Sequence, residues 1–202
     1  MRIFLIAIFV FAGATSSSLA QFFAEGDLGF ARYRSDGLQR VGVTPGGLNL
    51  SLAGGYMLHP MFGIEAIYGT MRTKASVLYE FLQQYLNYDN NYYGIGARIF
   101  LQSFVLRIGY AFHSITPYNT DFATGEQVLN NNASRFYGTD NKTYSSNGVY
   151  YGFIVEAFEV GSNGAIGIGS TLYNLSESGS NFFSFNLGFR YNFGAKSSGG
   201  GK

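Results

Sequence analysis

The chain has no cysteine. That excludes a disulfide framework, thiol chemistry and a cysteine-linked lipid anchor. Net charge is also missing: 13 Lys and Arg stand against 12 Asp and Glu. The balance excludes the basic footprint of a nucleic-acid partner. Long apolar runs are almost absent after residue 20. A soluble domain with 12% charged and 18% aromatic residues must bury its rings in a thick core. Such a core needs longer runs than this sequence contains.

What is present begins with a leader-like segment. Arg2 is followed by an apolar run over 3–12, and Ser18-Leu19-Ala20 has small residues at both positions a signal peptidase requires. The run is too short for the ~20 residues of a spanning helix. Residues 1–20 are therefore expected to be a secretory signal peptide, cleaved after Ala20. Residues 21–194 are expected to form one barrel domain. The tail 195–202 (AKSSGGGK) is expected to be disordered.

From Gln21 onward the apolar period is two, the mark of strands with two unlike faces. Eight strands are expected, near 22–34, 47–58, 61–71, 91–101, 104–114, 148–158, 164–173 and 181–193. The fourth sets Tyr93, Ile95, Ala97 and Ile99 against Tyr92, Gly94, Gly96, Arg98 and Phe100. The eighth offers Phe183, Phe185, Leu187, Phe189, Tyr191 and Phe193. No charge interrupts these apolar faces. Glu25, Asp27, Glu65, Arg98, Arg107, Glu156 and Arg190 all fall on the opposite ones. Glycine there suits a crowded interior that must hold Tyr33, Tyr92, Phe100, Tyr150 and Phe158. Aromatics gather near the ends of the apolar faces, as in the girdles of membrane barrels. Connections alternate between short turns and the long segments 35–46, 72–90 and 115–147. The expectation is an all-β fold: a closed antiparallel up-and-down transmembrane β-barrel of eight strands. Closure is required because lipid cannot hydrogen-bond a free sheet edge. Two readings stand for 76–86 (SVLYEFLQQYL): a short helix, or an extension of the third and fourth strands above the membrane. Segment 115–147, rich in Asn, Thr, Ser and Gly, is expected to be mobile.

The last strand reads NLGFRYNF over 186–193, with Asn186, Gly188, Tyr191 and Phe193 in alternation. It resembles the carboxy-terminal signal read by the bacterial barrel-assembly machinery. With the leader and the strand pattern, the chain resembles the small bacterial outer-membrane β-barrels, which include the OmpA membrane domain and OmpX. The resemblance implies an outer-membrane location. It implies outer-membrane lipids, lipopolysaccharide and the assembly machinery as partners. A surface-interaction role would present loops 72–90 and 115–147 to an extracellular partner.

Seven inward charges, Glu25, Asp27, Glu65, Arg98, Arg107, Glu156 and Arg190, are expected to pair as one layer across the lumen, because isolated charges there are costly. The layer is read as a plug, with a structural or surface-interaction role for the whole. The alternative is a gate in a narrow pore, or a conduit for a small ligand. A lipid A-modifying enzyme would need His and Ser within reach on the lipid face. His59 lies in a turn, and His113 and Ser114 point to opposite faces, so no catalytic residue is assigned. No metal site or cofactor is expected. Arg32, Arg34, Arg40, Arg72 and Lys74 are expected at the outer rim, where lipopolysaccharide phosphates lie.

Overall fold

The computed structural model describes residues 21–79, 82–128, 142–176 and 179–194. The expected signal peptide and tail lie outside the described residues. The strands are β1 (Gln21–Arg34), β2 (Gly46–His59), β3 (Phe62–Tyr79), β4 (Leu82–Leu101), β5 (Phe104–Asp121), β6 (Gln127–Val128), β7 (Tyr144–Val160), β8 (Gly164–Asn174) and β9 (Asn181–Phe193), with one short helix, α1 (Asp36–Arg40). Eight of the strands pair antiparallel in chain order and close into a ring, β4 against β5 and β9 against β1. The two-residue β6 lies outside the ring and pairs, among the described residues, with Asn119 and Thr120 of β5.

The stagger of the barrel follows from the pairing. From Phe30, the register through Leu48 reaches Arg72 on β3. In the other direction, through Phe185, Ser170, Phe153, Leu106 and Ile99, it reaches Phe62 on the same strand. Positions 62 and 72 differ by ten residues, which is the shear. Ten residues over eight strands requires a strand tilt of about 40°, within the usual range for such barrels.

Side-chain sorting follows the period of two. Leu52 and Ile95 are 63% and 68% exposed, whereas Arg98 is fully buried. The exposed side of the ring carries Leu, Ile, Phe and Tyr, a surface that suits hydrocarbon rather than water. The crowded inner side has glycine where rings must fit. A Cβ on Gly109 would come within 2.6 Å of the Tyr150 ring, and one on Gly69 would overlap Tyr92.

Three expectations need correction. Phe158 faces outward and is exposed, unlike Tyr33, Tyr92, Phe100 and Tyr150. A bulge between Glu156 and Phe158 adds a residue to β7 and reverses the parity beyond it. Residues 72–90 are not an irregular loop. β3 and β4 continue beside each other to Tyr79 and Leu82, so 76–86 takes the strand extension over the helix. In 115–147, β5 runs on to Asp121, and 129–141 lie outside the described residues.

The first long connection folds back over the mouth. Ser35 caps α1 by accepting from the Leu38 N–H at 3.4 Å. Leu38 is buried and packs with Tyr33, Met71, Val77 and Leu86, with Val43 and Tyr88 at the edge. The helix thus adds a hydrophobic cover to the upper lumen.

Candidate functional site

The lumen is built in layers. At the end with the short turns, Phe23, Phe100, Val105 and Ile154 make an apolar layer, with Met57 beside it. Arg190 donates to Glu156 at 2.9 Å, and its guanidinium lies 5.0 Å from the Phe100 ring.

The next layer is ionic. Arg98 gives two bonds to Glu25, at 2.7 and 2.8 Å, and one to Glu65. Its guanidinium also lies 4.5 Å from the Phe23 ring. Arg107 donates to Glu65 at 3.1 Å and lies 3.6 Å from Glu25 and 3.7 Å from Asp27. Neutral donors complete the set: Tyr150 donates to Glu65 at 2.8 Å, and Ser51 to Asp27 at 3.0 Å. Five of the seven charges expected in one layer therefore meet, and Glu156 and Arg190 form a separate pair. Multiple bonds to Glu25 and to Glu65 offset the desolvation that makes buried charges costly.

Above this lies a neutral polar layer. Asn49 donates to Asn186 at 2.8 Å, and Asn186 donates to Ser184 at 3.1 Å. Tyr92 donates to Asn49 at 3.2 Å, and Tyr173 to Tyr92 at 3.3 Å. The sequence reading missed Asn49, Ser51, Tyr173 and Ser184 as lumen residues. Their alternation with the outward apolar residues of β2, β8 and β9 was the available signal.

The strand read as an assembly signal also serves this interior. Asn186 sits in the polar layer, and a Cβ on Gly188 would overlap the Asp27 carboxylate. Tyr191 and Phe193 face outward, with ring centroids 4.9 Å apart.

The histidines separate. His59 is exposed in the β2–β3 turn and accepts from the Met61 N–H at 3.2 Å. His113 is buried between Tyr92 and Phe182, with Nδ1 3.1 Å from Asn90. Ser114 is exposed on the opposite face. Among the described residues, the structure thus brings no histidine–serine pair together on the outer surface. Among the described residues, no group of three His, Cys, Asp or Glu could hold a metal ion.

The structure gathers three of the five rim cations. Arg32 on β1 lies opposite Gly46 on β2, which lies opposite Lys74 on β3, and Arg72 is two residues from Lys74. All three are exposed and face outward. Arg34 instead donates to Gln39 of α1 at 3.1 Å, and Arg40 ends that helix.

No protein-family model matches the chain, and no curated protein does. Solved structures share its shape. Neisserial surface protein A matches with a TM-score of 0.50 and 14% identity, over 85% of this chain and 97% of that one. Ail, the attachment invasion locus protein of Yersinia pestis, gives 0.48 and 16%, over 88% and 100%. The N-terminal β-barrel domain of Pseudomonas aeruginosa OprF gives 0.42 and 14%, over 85% and 97%. Neisserial surface protein A is a small eight-stranded outer-membrane barrel, the group the sequence resembles, and the chain shares its fold.

Proposed function

We propose that the chain is an integral protein of the bacterial outer membrane whose lumen is a structural plug and whose work is done at its outer surface. One observation carries this reading: the lumen is filled by side chains that bond one another, from the Phe23 layer to the cover over Leu38. A barrel filled in this way offers function only on its outside. There, β3 and β4 stand beyond the ring. β2 stops at Gly46, opposite Lys74, so residues 75–79 of β3 have no strand partner on that side among the described residues. Such an edge accepts an extended segment of another protein by strand addition. Arg32, Arg72 and Lys74 form the basic part of the rim and reach phosphates of lipopolysaccharide. The role is structural or adhesive and involves no catalysis.

The test is electrical. The full chain, refolded and inserted into planar phosphatidylcholine bilayers, is expected to give no stable single-channel steps. Steps that Glu65→Gln or Arg107→Gln then alter would overturn the plug in favour of a gated pore.

A further inference from the structure

On the outer face of β3, β4, β5 and β7, two rows of side chains meet at the upper edge of the apolar band. The lower row is Tyr68, Tyr93 and Phe112, which the register sets side by side on adjacent strands. Tyr93 and Phe112 are stacked, with centroids 5.2 Å apart and planes 19° from parallel. The row above contains Asn91, Ser114 and Ser145, again directly paired, and Asn147 closes the lower row beside Phe112. Together they line a groove of about 320 Å³.

In the deeper lining Ser146 and Ser176 bond each other at 3.2 Å, whereas the outward side chains of Asn91, Ser114, Ser145 and Asn147 have no side-chain hydrogen bond to a described residue. One row further up the situation differs, because Thr116 and Thr143 bond each other at 2.7 Å. The groove therefore combines an aromatic floor with free amides and hydroxyls. Among the described residues, its only titratable groups besides tyrosine belong to His113, whose buried ring lies on the lumen side. Its nearest cation along β3 is Arg72, outside the lining.

We propose that this groove is a sugar subsite for a membrane glycolipid. The inference rests on the membrane reading above. An acyl chain alone would leave Asn91, Ser114, Ser145 and Asn147 unmatched, at a desolvation cost. A phosphate would require a cation in the lining. A pyranose fits both parts: its C–H face lies on the rings of Tyr93 and Phe112, and its hydroxyls bond the amides and serines. The apolar band beneath receives the acyl chains of the same molecule, so the site lies where headgroup and tail join.

The full chain in phosphatidylcholine nanodiscs tests this. Glucosyl-diacylglycerol, plain diacylglycerol and phosphatidylglycerol are titrated in separate arms, and the side-chain amide signals of Asn91 and Asn147 are followed by NMR. Saturable shifts are expected with the glucosyl lipid alone. Asn91→Leu and Tyr93→Leu, both exposed positions, should each weaken the response by about tenfold. Equal shifts with diacylglycerol or phosphatidylglycerol, no shifts with the glucosyl lipid, or variants that bind as well as the parent would overturn the proposal. Heat-modifiable migration on gels, measured before titration, separates the two readings. A chain that fails to insert overturns both, and an inserted chain blind to glucose overturns this one alone.

Discussion

Arg98 has no exposed surface and bonds two carboxylates from two other strands. Removing one member of such a network leaves buried charge unmatched, which costs far more than the network contributes over an apolar core. Arg98→Met should lower stability by about 3–5 kcal/mol, read as a shift in the urea unfolding midpoint in lipid. An unchanged midpoint would mean that water reaches the layer. Parity alone placed the ion-pair residues inside, because a strand allows only two directions. It did not divide them, because the split between the Glu156–Arg190 pair and the other five depends on three-dimensional spacing. Nor could parity see the bulge that turns Phe158 outward. At the surface, Asp121 accepts from the N–H groups of Thr124 and Ala123, which hold its carboxyl below the ordinary aspartate value. A depressed folded value stabilises the turn at pH above the unfolded value, 3.8, and the gain is lost as pH falls through the folded one. Amide exchange at Ala123 and Thr124 should therefore be steady at neutral pH and speed up below about pH 4, relative to exchange in Asp121→Asn.

The β3–β4 hairpin shows why an element's length was harder to read than its existence. In 76–86, Leu78, Phe81, Leu82 and Tyr85 fit one helix face, so a helix competed with a strand pair in the sequence. Tertiary pairing decides: Ser76 lies opposite Tyr85 and Ala75 opposite Leu86, with Val77 and Leu86 buried on the inner face against Leu38 and Val43. The shorter β8 and β9 were bounded closely, because turn residues lie at both ends. Since ring closure uses pairs below Lys74, the upper hairpin is dispensable for the barrel. Replacing residues 75–86 with a two-residue Asn-Gly turn should leave amide protection in β1 and β9 unchanged. It should also abolish any binding through the 75–79 edge. A shortened chain that no longer closes β1 on β9 would contradict that division of roles.

At the scale of the whole molecule, the fold inverts the soluble pattern. Leucine, isoleucine and phenylalanine cover the outside, and guanidinium and carboxylate groups occupy the centre. Eight strands with a shear of ten enclose only enough space for side chains, so filling and closure follow from the same geometry. The low charge, the glycine content and the period of two made this legible in sequence. The surface partner was not legible, because exposed edges and grooves depend on which strands outlast their neighbours.

Orientation is the central claim, and the absence of native cysteine makes it directly measurable. Single variants Leu50→Cys, Leu52→Cys, Ile95→Cys and Ile108→Cys, with Ser51→Cys and Ala53→Cys as inward controls, would carry a nitroxide label in phospholipid vesicles. The account predicts strong relaxation by oxygen and little by a water-soluble nickel complex at the four outward sites, alternating with protected signals at 51 and 53. Nickel access at Leu52 and Ile95, or no alternation from 50 to 53, would contradict it.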